Sequence, residues 1–194
     1  MFINWKQKEI KLKIVYYGAS LCGKTTNLEF LHANIPAHAR SEMVSLKTRE
    51  DRTIFFDFLE IQLGEIKGLK PKFSLYTVPG QVYYVASRKL VLQGADGVVF
   101  VVDSAPERRE ANVEAWNNLH TNLREFGIVP ENFPIVIQFN KRDLPNALPL
   151  DELRALIPCN GYPQFEAIAI QGIGVFESLR PAIKAVMLQA QKHL

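Results

Sequence analysis

A chain of 194 residues, 47% hydrophobic and 22% charged, suits one globular domain whose core needs neither metal nor cross-link. A formal charge of +3, spread along the chain, excludes the electrostatic footprint of a nucleic-acid binder. The two cysteines, Cys22 and Cys159, exclude a disulfide framework and a cysteine-based metal site.

The densest basic run, Lys6, Lys8, Lys11 and Lys13, reads as a solvated face leading into a strand rather than a membrane patch. Met1-Phe2 lacks a myristoylation glycine, and Gln189 to Leu194 lacks a prenylation cysteine. Neither a leader nor a spanning segment is expected. These features predict a cytoplasmic protein, monomeric by itself, that reaches membranes only through a partner.

Ile10 to Tyr17, rich in β-branched and aromatic residues, predicts a first strand. It runs into Gly18-Ala19-Ser20-Leu21-Cys22-Gly23-Lys24-Thr25, which fits the pattern GxxxxGK followed by serine or threonine. Lys24 to Ala33 predicts the helix that follows. In such a loop Gly18 and Gly23 let the backbone curl so that successive N–H groups point at a phosphate. Ser20, Leu21, Cys22 and Thr26 lie along the same contour. Lys24 reaches the β- and γ-phosphates, and the Thr25 hydroxyl is the expected Mg²⁺ ligand. For Cys22 two readings stand, an oxidant-sensitive thiol beside Lys24 and a small residue tolerated in the loop.

Thr53 to Leu63 and Lys70 to Val78 predict an antiparallel hairpin around Gly64 and Gly68. Ahead of it lies Arg49-Glu50-Asp51-Arg52-Thr53. Thr53 is either the loop threonine that senses a γ-phosphate and completes the Mg²⁺ shell, or simply a strand opener. Arg52 is either an arginine finger supplied by the chain itself or a solvated loop residue. After the hairpin comes Thr77-Val78-Pro79-Gly80-Gln81, where Gly80 would donate its N–H to the γ-phosphate and Gln81 would orient the attacking water. Thr77 stands where aspartate is usual, so Mg²⁺ is expected to be held less firmly.

Gly97 to Val102 and Pro134 to Phe139 are nearly all apolar, as in strands covered on both faces. Between them Val113, Trp116, Leu119, Leu123 and Phe126 recur at helical spacing. A last strand near Phe165 to Ile170 leads into a helix with Phe176, Leu179, Ile183, Val186 and Ala190 on one face, which Pro181 should kink or delay. Asn140-Lys141-Arg142-Asp143 ends the second apolar run and fits NKxD. Asp143 can accept hydrogen bonds from guanine N1 and N2, which adenine cannot match. Asn140 would contact the guanine edge, and the Lys141 stem would cover ring and ribose. Alternating strands and helices predict an α/β P-loop fold over residues 1–194: a mostly parallel six-stranded sheet, one antiparallel hairpin strand, helices on both faces, and ligands at the carboxyl ends of the strands.

The chain resembles the bacterial MglA-type small GTPases of cell polarity and gliding motility. Lys13 to Gly18, Arg52 to Phe58, Leu75 to Gln81, Ala86 to Leu90 and Asn140 to Pro145 carry the likeness. In that family the threonine at the place of Thr77 is the rule. The resemblance implies GTP and GDP as ligands with Mg²⁺, Arg52 as intrinsic arginine finger and Gln81 as water-orienting residue. It also implies a hairpin strand that shifts register between nucleotide states, and slow hydrolysis accelerated by a Roadblock-domain partner that repositions the switch loops. Val101 to Ser104 and Asn140 to Ala147 are similar to Arf-type GTPases, and Ala169-Ile170-Gln171 falls where small GTPases present a backbone N–H to guanine O6. Ser20 and Leu21 replace glycines of Ras-type loops and narrow the space near the γ-phosphate. The competing reading is a pseudo-GTPase scaffold that holds nucleotide without turnover; an ATP-dependent kinase has little support, lacking an arginine-rich lid.

Overall fold

Ile10, Leu12, Ile14 and Tyr16 face one side of their strand while Val15 and Tyr17 face the other, and this period of two divides the interior into two cores. The computed structural model describes residues 1–47, 53–65, 67–80, 85–159 and 161–192, with the backbone alone at 46, 47, 53–55 and 85.

The strands are β1 (Phe2–Asn4), β2 (Glu9–Gly18), β3 (Val44–Lys47), β4 (Thr53–Gln62), β5 (Lys70–Thr77), β6 (Gly97–Asp103), β7 (Ile135–Asn140) and β8 (Gln164–Glu166). The helices are α1 (Lys24–Asn34), α2 (Val85–Leu92), α3 (Arg109–Glu125), α4 (Leu150–Leu156) and α5 (Val175–Gln191). They assemble into one sheet ordered β3-β4-β5-β2-β6-β7-β8, with β1 on the remaining edge of β2. From β5 to β8 the pairings are parallel. Residues of α1 and α5 fill one core, and residues of α2, α3 and α4 fill the other. β6 is buried along its whole length, as its unbroken apolar run requires.

The expected hairpin is present, antiparallel from Phe58 opposite Tyr76 to Gln62 opposite Lys72. The sheet has eight strands among the described residues instead of six, because β1 and β3 add short antiparallel pairings. Each is too short to show a sequence period. The final strand ends at Glu166, before Ala169 to Gln171, which form a single 3₁₀ turn. Gly172 and Gly174, at φ +79° and +75°, fold the chain back so that Ile168 bridges Ile173. Nor does α5 wait for Pro181. It starts at Val175 and runs through the proline, its buried face of Leu179, Ala182 and Val186 outweighing the local penalty.

One buried polar cluster ties the layers together. Gln138 and Asn27 exchange amide hydrogen bonds of 2.8 and 2.9 Å, and Gln138 also donates to Ser178 Oγ at 2.8 Å. It joins β7 to α1 and α5 beneath the loops of the site. Gln138→Leu strands the Asn27 and Ser178 groups without a partner or water. We expect a loss of about 1–3 kcal/mol, read as a lower urea midpoint at unchanged slope.

Candidate nucleotide-binding site

Gly18 closes β2 at φ +146°, and a Cβ there would lie 2.3 Å from Val101 O and 3.0 Å from Cys22 Sγ. Gly23 adopts φ +102°, and a Cβ on it would lie 2.2 Å from Asn140 Nδ2. Both positions exclude side chains, and between them the loop turns through Leu21 at φ +61°. Helix α1 starts at Lys24 with no acidic residue in its first turn, so its free N–H groups present positive potential to the loop. Lys24 is buried and donates to Gly18 O at 3.1 Å and Ala19 O at 2.6 Å. Burial holds its pKa below the ordinary lysine value, with the Arg88 charge adding to that effect. The Cys22 thiol is fully buried, and desolvation raises its pKa despite Lys24. That environment opposes the oxidant-sensitive reading and fits a small residue packed under Gly18.

At the far end of the loop a cavity of about 220 Å³ is lined by Leu21, Gly23 and Thr26 on one side. Asn140, Lys141, Asp143, Ala169 and Ile170 line the other, joined by Leu144, which the sequence did not single out. Asp143 is exposed and bonds to no other described residue, leaving its carboxylate to accept from a ligand. The Lys141 backbone is left-handed at φ +63°, and its Nζ lies 2.6 Å from Asp103 Oδ2. This pins the lysine stem along the cavity. Asn140 differs from expectation. Its Nδ2 donates to Cys22 O at 2.8 Å and its Oδ1 accepts from Ala169 N at 2.9 Å, so it braces two loops instead of reaching a base edge. The Ala169 N–H, expected to be free for guanine O6, is taken by that brace.

The opposite end holds residues the sequence reading missed. Asp57 is buried in β4, where its Oδ2 accepts from Thr25 Oγ1 at 2.5 Å and from Thr77 Oγ1 at 2.7 Å. Ser45 donates to its other oxygen. Thr77 also accepts from the Asp57 N–H at 2.9 Å. A lone carboxylate amid Phe55, Phe56, Phe58 and Leu59 was the available signal, since such a residue stays buried only with partners. Asp103 was read as a turn or cap residue. It does accept from Ala105 N at 3.1 Å, and it also anchors Lys141. Arg108 donates to Ser20 O at 2.5 Å, with its Nε 3.8 Å from Asp103 Oδ2.

Gly80 rests on the phosphate loop, where a Cβ would come 2.2 Å from Ser20 Cα. Thr53 opens β4 opposite Lys47, and its side chain is outside the description. Arg52 and Gln81 lie outside the described residues.

A phosphate-cradling loop at the end of one central strand and an NKxD loop at the end of another, on a mostly parallel sheet, define a P-loop GTPase. The model of the ADP-ribosylation factor family matches residues 1–178, and the chain belongs to that family of small GTPases, whose ligands are GTP and GDP. It is 52% identical over 191 residues, 98% of each chain, to the mutual gliding-motility protein MglA of Myxococcus xanthus (strain DK1622). It is 32% identical over 193 residues to ADP-ribosylation factor-like protein 4C of Homo sapiens, covering 94% of this chain and 90% of that one. To the Ras-related protein Rab-32C of Dictyostelium discoideum it is 26% identical over 183 residues, covering 92% and 74%. Among the described residues no helix is long and apolar enough to cross a membrane.

Because Asp143 supports no other described residue, Asp143→Ala should lower GTP affinity on the order of a hundredfold or more while leaving the melting temperature nearly unchanged. Nucleotide titration beside thermal unfolding checks both halves.

Proposed function

We propose that the chain is a GTP-driven switch: one G domain over residues 1–194 that binds GTP with Mg²⁺, engages partners in that state, and resets by hydrolysis. The carrying observation is the cavity that gathers Gly23, Thr26, Lys141 and Asp143 from separate segments around the glycine-walled loop. In this reading the loop amides and Lys24 hold the phosphates, Asp143 selects guanine, and Ala169 and Ile170 close the base pocket. Gln81 orients the attacking water and Arg52 stabilises charge developing on the transferred phosphoryl group. Gln81→Leu or Arg52→Ala should leave GTP affinity nearly intact and lower partner-stimulated turnover, for the arginine on the order of 10³-fold or more. Ordinary stimulated turnover in both variants would reject the assigned roles.

The oxygen donors near Thr25 suit Mg²⁺. Among the described residues no three histidine, cysteine or acidic side chains cluster, so a metal here would depend on hydroxyls, a carboxylate and the nucleotide's own oxygens, as Mg²⁺ commonly does. Thr25 is the assigned protein ligand, with Thr53 joining it in the GTP state. When bound, the ion would neutralise charge on the β- and γ-phosphates. Asp57 accepts the Thr25 hydroxyl proton, which leaves the oxygen lone pairs for a cation and supplies the negative charge Thr77 lacks. Asp57→Asn should raise the Mg²⁺ concentration that half-slows nucleotide release roughly 10- to 100-fold. An unchanged Mg²⁺ titration would remove Asp57 from the metal site.

The likeness to the gliding-motility protein supports a role in cell polarity or motility, and a Roadblock-domain partner as accelerator of hydrolysis. A cytoplasmic chain, monomeric between partners, fits this role. The rival, a scaffold that holds nucleotide without turnover, draws on Ser20 and Leu21 in the loop. Single-turnover hydrolysis with and without the Roadblock partner separates the two: a partner-dependent rise supports the switch, and no turnover in either condition supports the scaffold.

A further inference from the structure

Helix α2 contributes a guanidinium that none of the site roles above uses. Arg88 is only 3% exposed. Among the described residues it has no carboxylate partner; its Nε donates to Pro79 O at 2.9 Å and its Nη2 to Gly80 O at 2.8 Å. Burying a guanidinium without a counter-charge is costly, and two carbonyls offset only part of that cost. The Tyr17 hydroxyl is its other polar neighbour.

The two carbonyls belong to the two peptide groups that flank Gly80. A peptide group is planar and, in the absence of cis bonds here, its C=O and N–H point in opposite directions. Holding Pro79 O therefore fixes the direction of the Gly80 N–H, and a charged donor on the oxygen polarises that N–H. The Gly80 N–H is donated to no described residue. Gly80 itself sits on Ser20 and Ala19, where a Cβ would meet Ser20 N at 2.6 Å and Ala19 O at 2.9 Å. Arg108 braces the opposite side of this contact through Ser20 O, and Arg88 and Arg108 both line a cavity of about 140 Å³ beside it.

We propose that Arg88 is a positioning residue for recognition of the third phosphate: by clamping the carbonyls on both sides of Gly80 it aims the Gly80 N–H at the γ-phosphate, and so distinguishes GTP from GDP. The inference rests on the switch reading above and adds to it the residue that sets nucleotide-state discrimination. A lysine would keep the charge but has no planar fork to bridge two carbonyls.

The test compares affinities of the intact chain for GDP and for a non-hydrolysable GTP analogue, in the wild type, Arg88→Ala and Arg88→Lys at saturating Mg²⁺. In both variants the analogue is expected to bind roughly tenfold more weakly while GDP affinity stays within about twofold. Retained GDP binding shows that the fold and the base pocket survive, so the change in ratio cannot come from unfolding. Equal losses for both nucleotides, or no loss for either, would overturn the positioning role. Failure of the wild type to bind either nucleotide would instead overturn the switch reading, a distinct result.

Discussion

A side chain on Gly18 would collide with the Val101 carbonyl on the neighbouring strand, and one on Gly23 with the Asn140 amide. This steric constraint shapes everything built above the sheet. With no Cβ at either end, the loop between β2 and α1 can descend against β6 and β7 and leave its amides facing outward. Helix α1 then begins where the loop ends, and its uncapped N-terminus adds to the same field. The Gln138–Asn27–Ser178 cluster holds α1 and α5 to the sheet just below, so the loop rests on a fixed base.

Charge around the loop follows a consistent plan. Buried cations, Lys24 and Arg88, are held by backbone carbonyls instead of carboxylates, which leaves their charge uncancelled for an anion. Buried anions, Asp57 and Asp103, are each tied to hydroxyls, amides or a lysine that belong to the site's edges. Asp57 also shows how a role can move between strands. β4 and β5 are antiparallel neighbours, so a carboxylate on one and a threonine on the other can share a position that a single aspartate fills in related loops.

Much of this was legible in the sequence because it is local. The phosphate loop, the NKxD loop and the strands that carry them depend on contiguous spacing, and they lie where that spacing implies. What escaped depends on distant pairing. Asp57 meets Thr25 across 32 residues and Arg108 meets Ser20 across 88, and no short pattern reports such meetings. Asn140 was assigned to the base on the strength of its motif, whereas its hydrogen bonds to Cys22 and Ala169 are visible only in three dimensions. The chain's last strand was overextended because Ala167 to Ile170 is apolar enough to continue it; the left-handed glycines at 172 and 174 turn it away.

The Asn140 amide carries a kinetic corollary. One side chain fastens the loop under the phosphates to the segment that closes the base pocket, so neither can loosen alone without breaking a buried hydrogen bond. A bound nucleotide would then leave in a single cooperative opening, base and phosphates together, and its dwell time would follow one exponential clock instead of two successive ones.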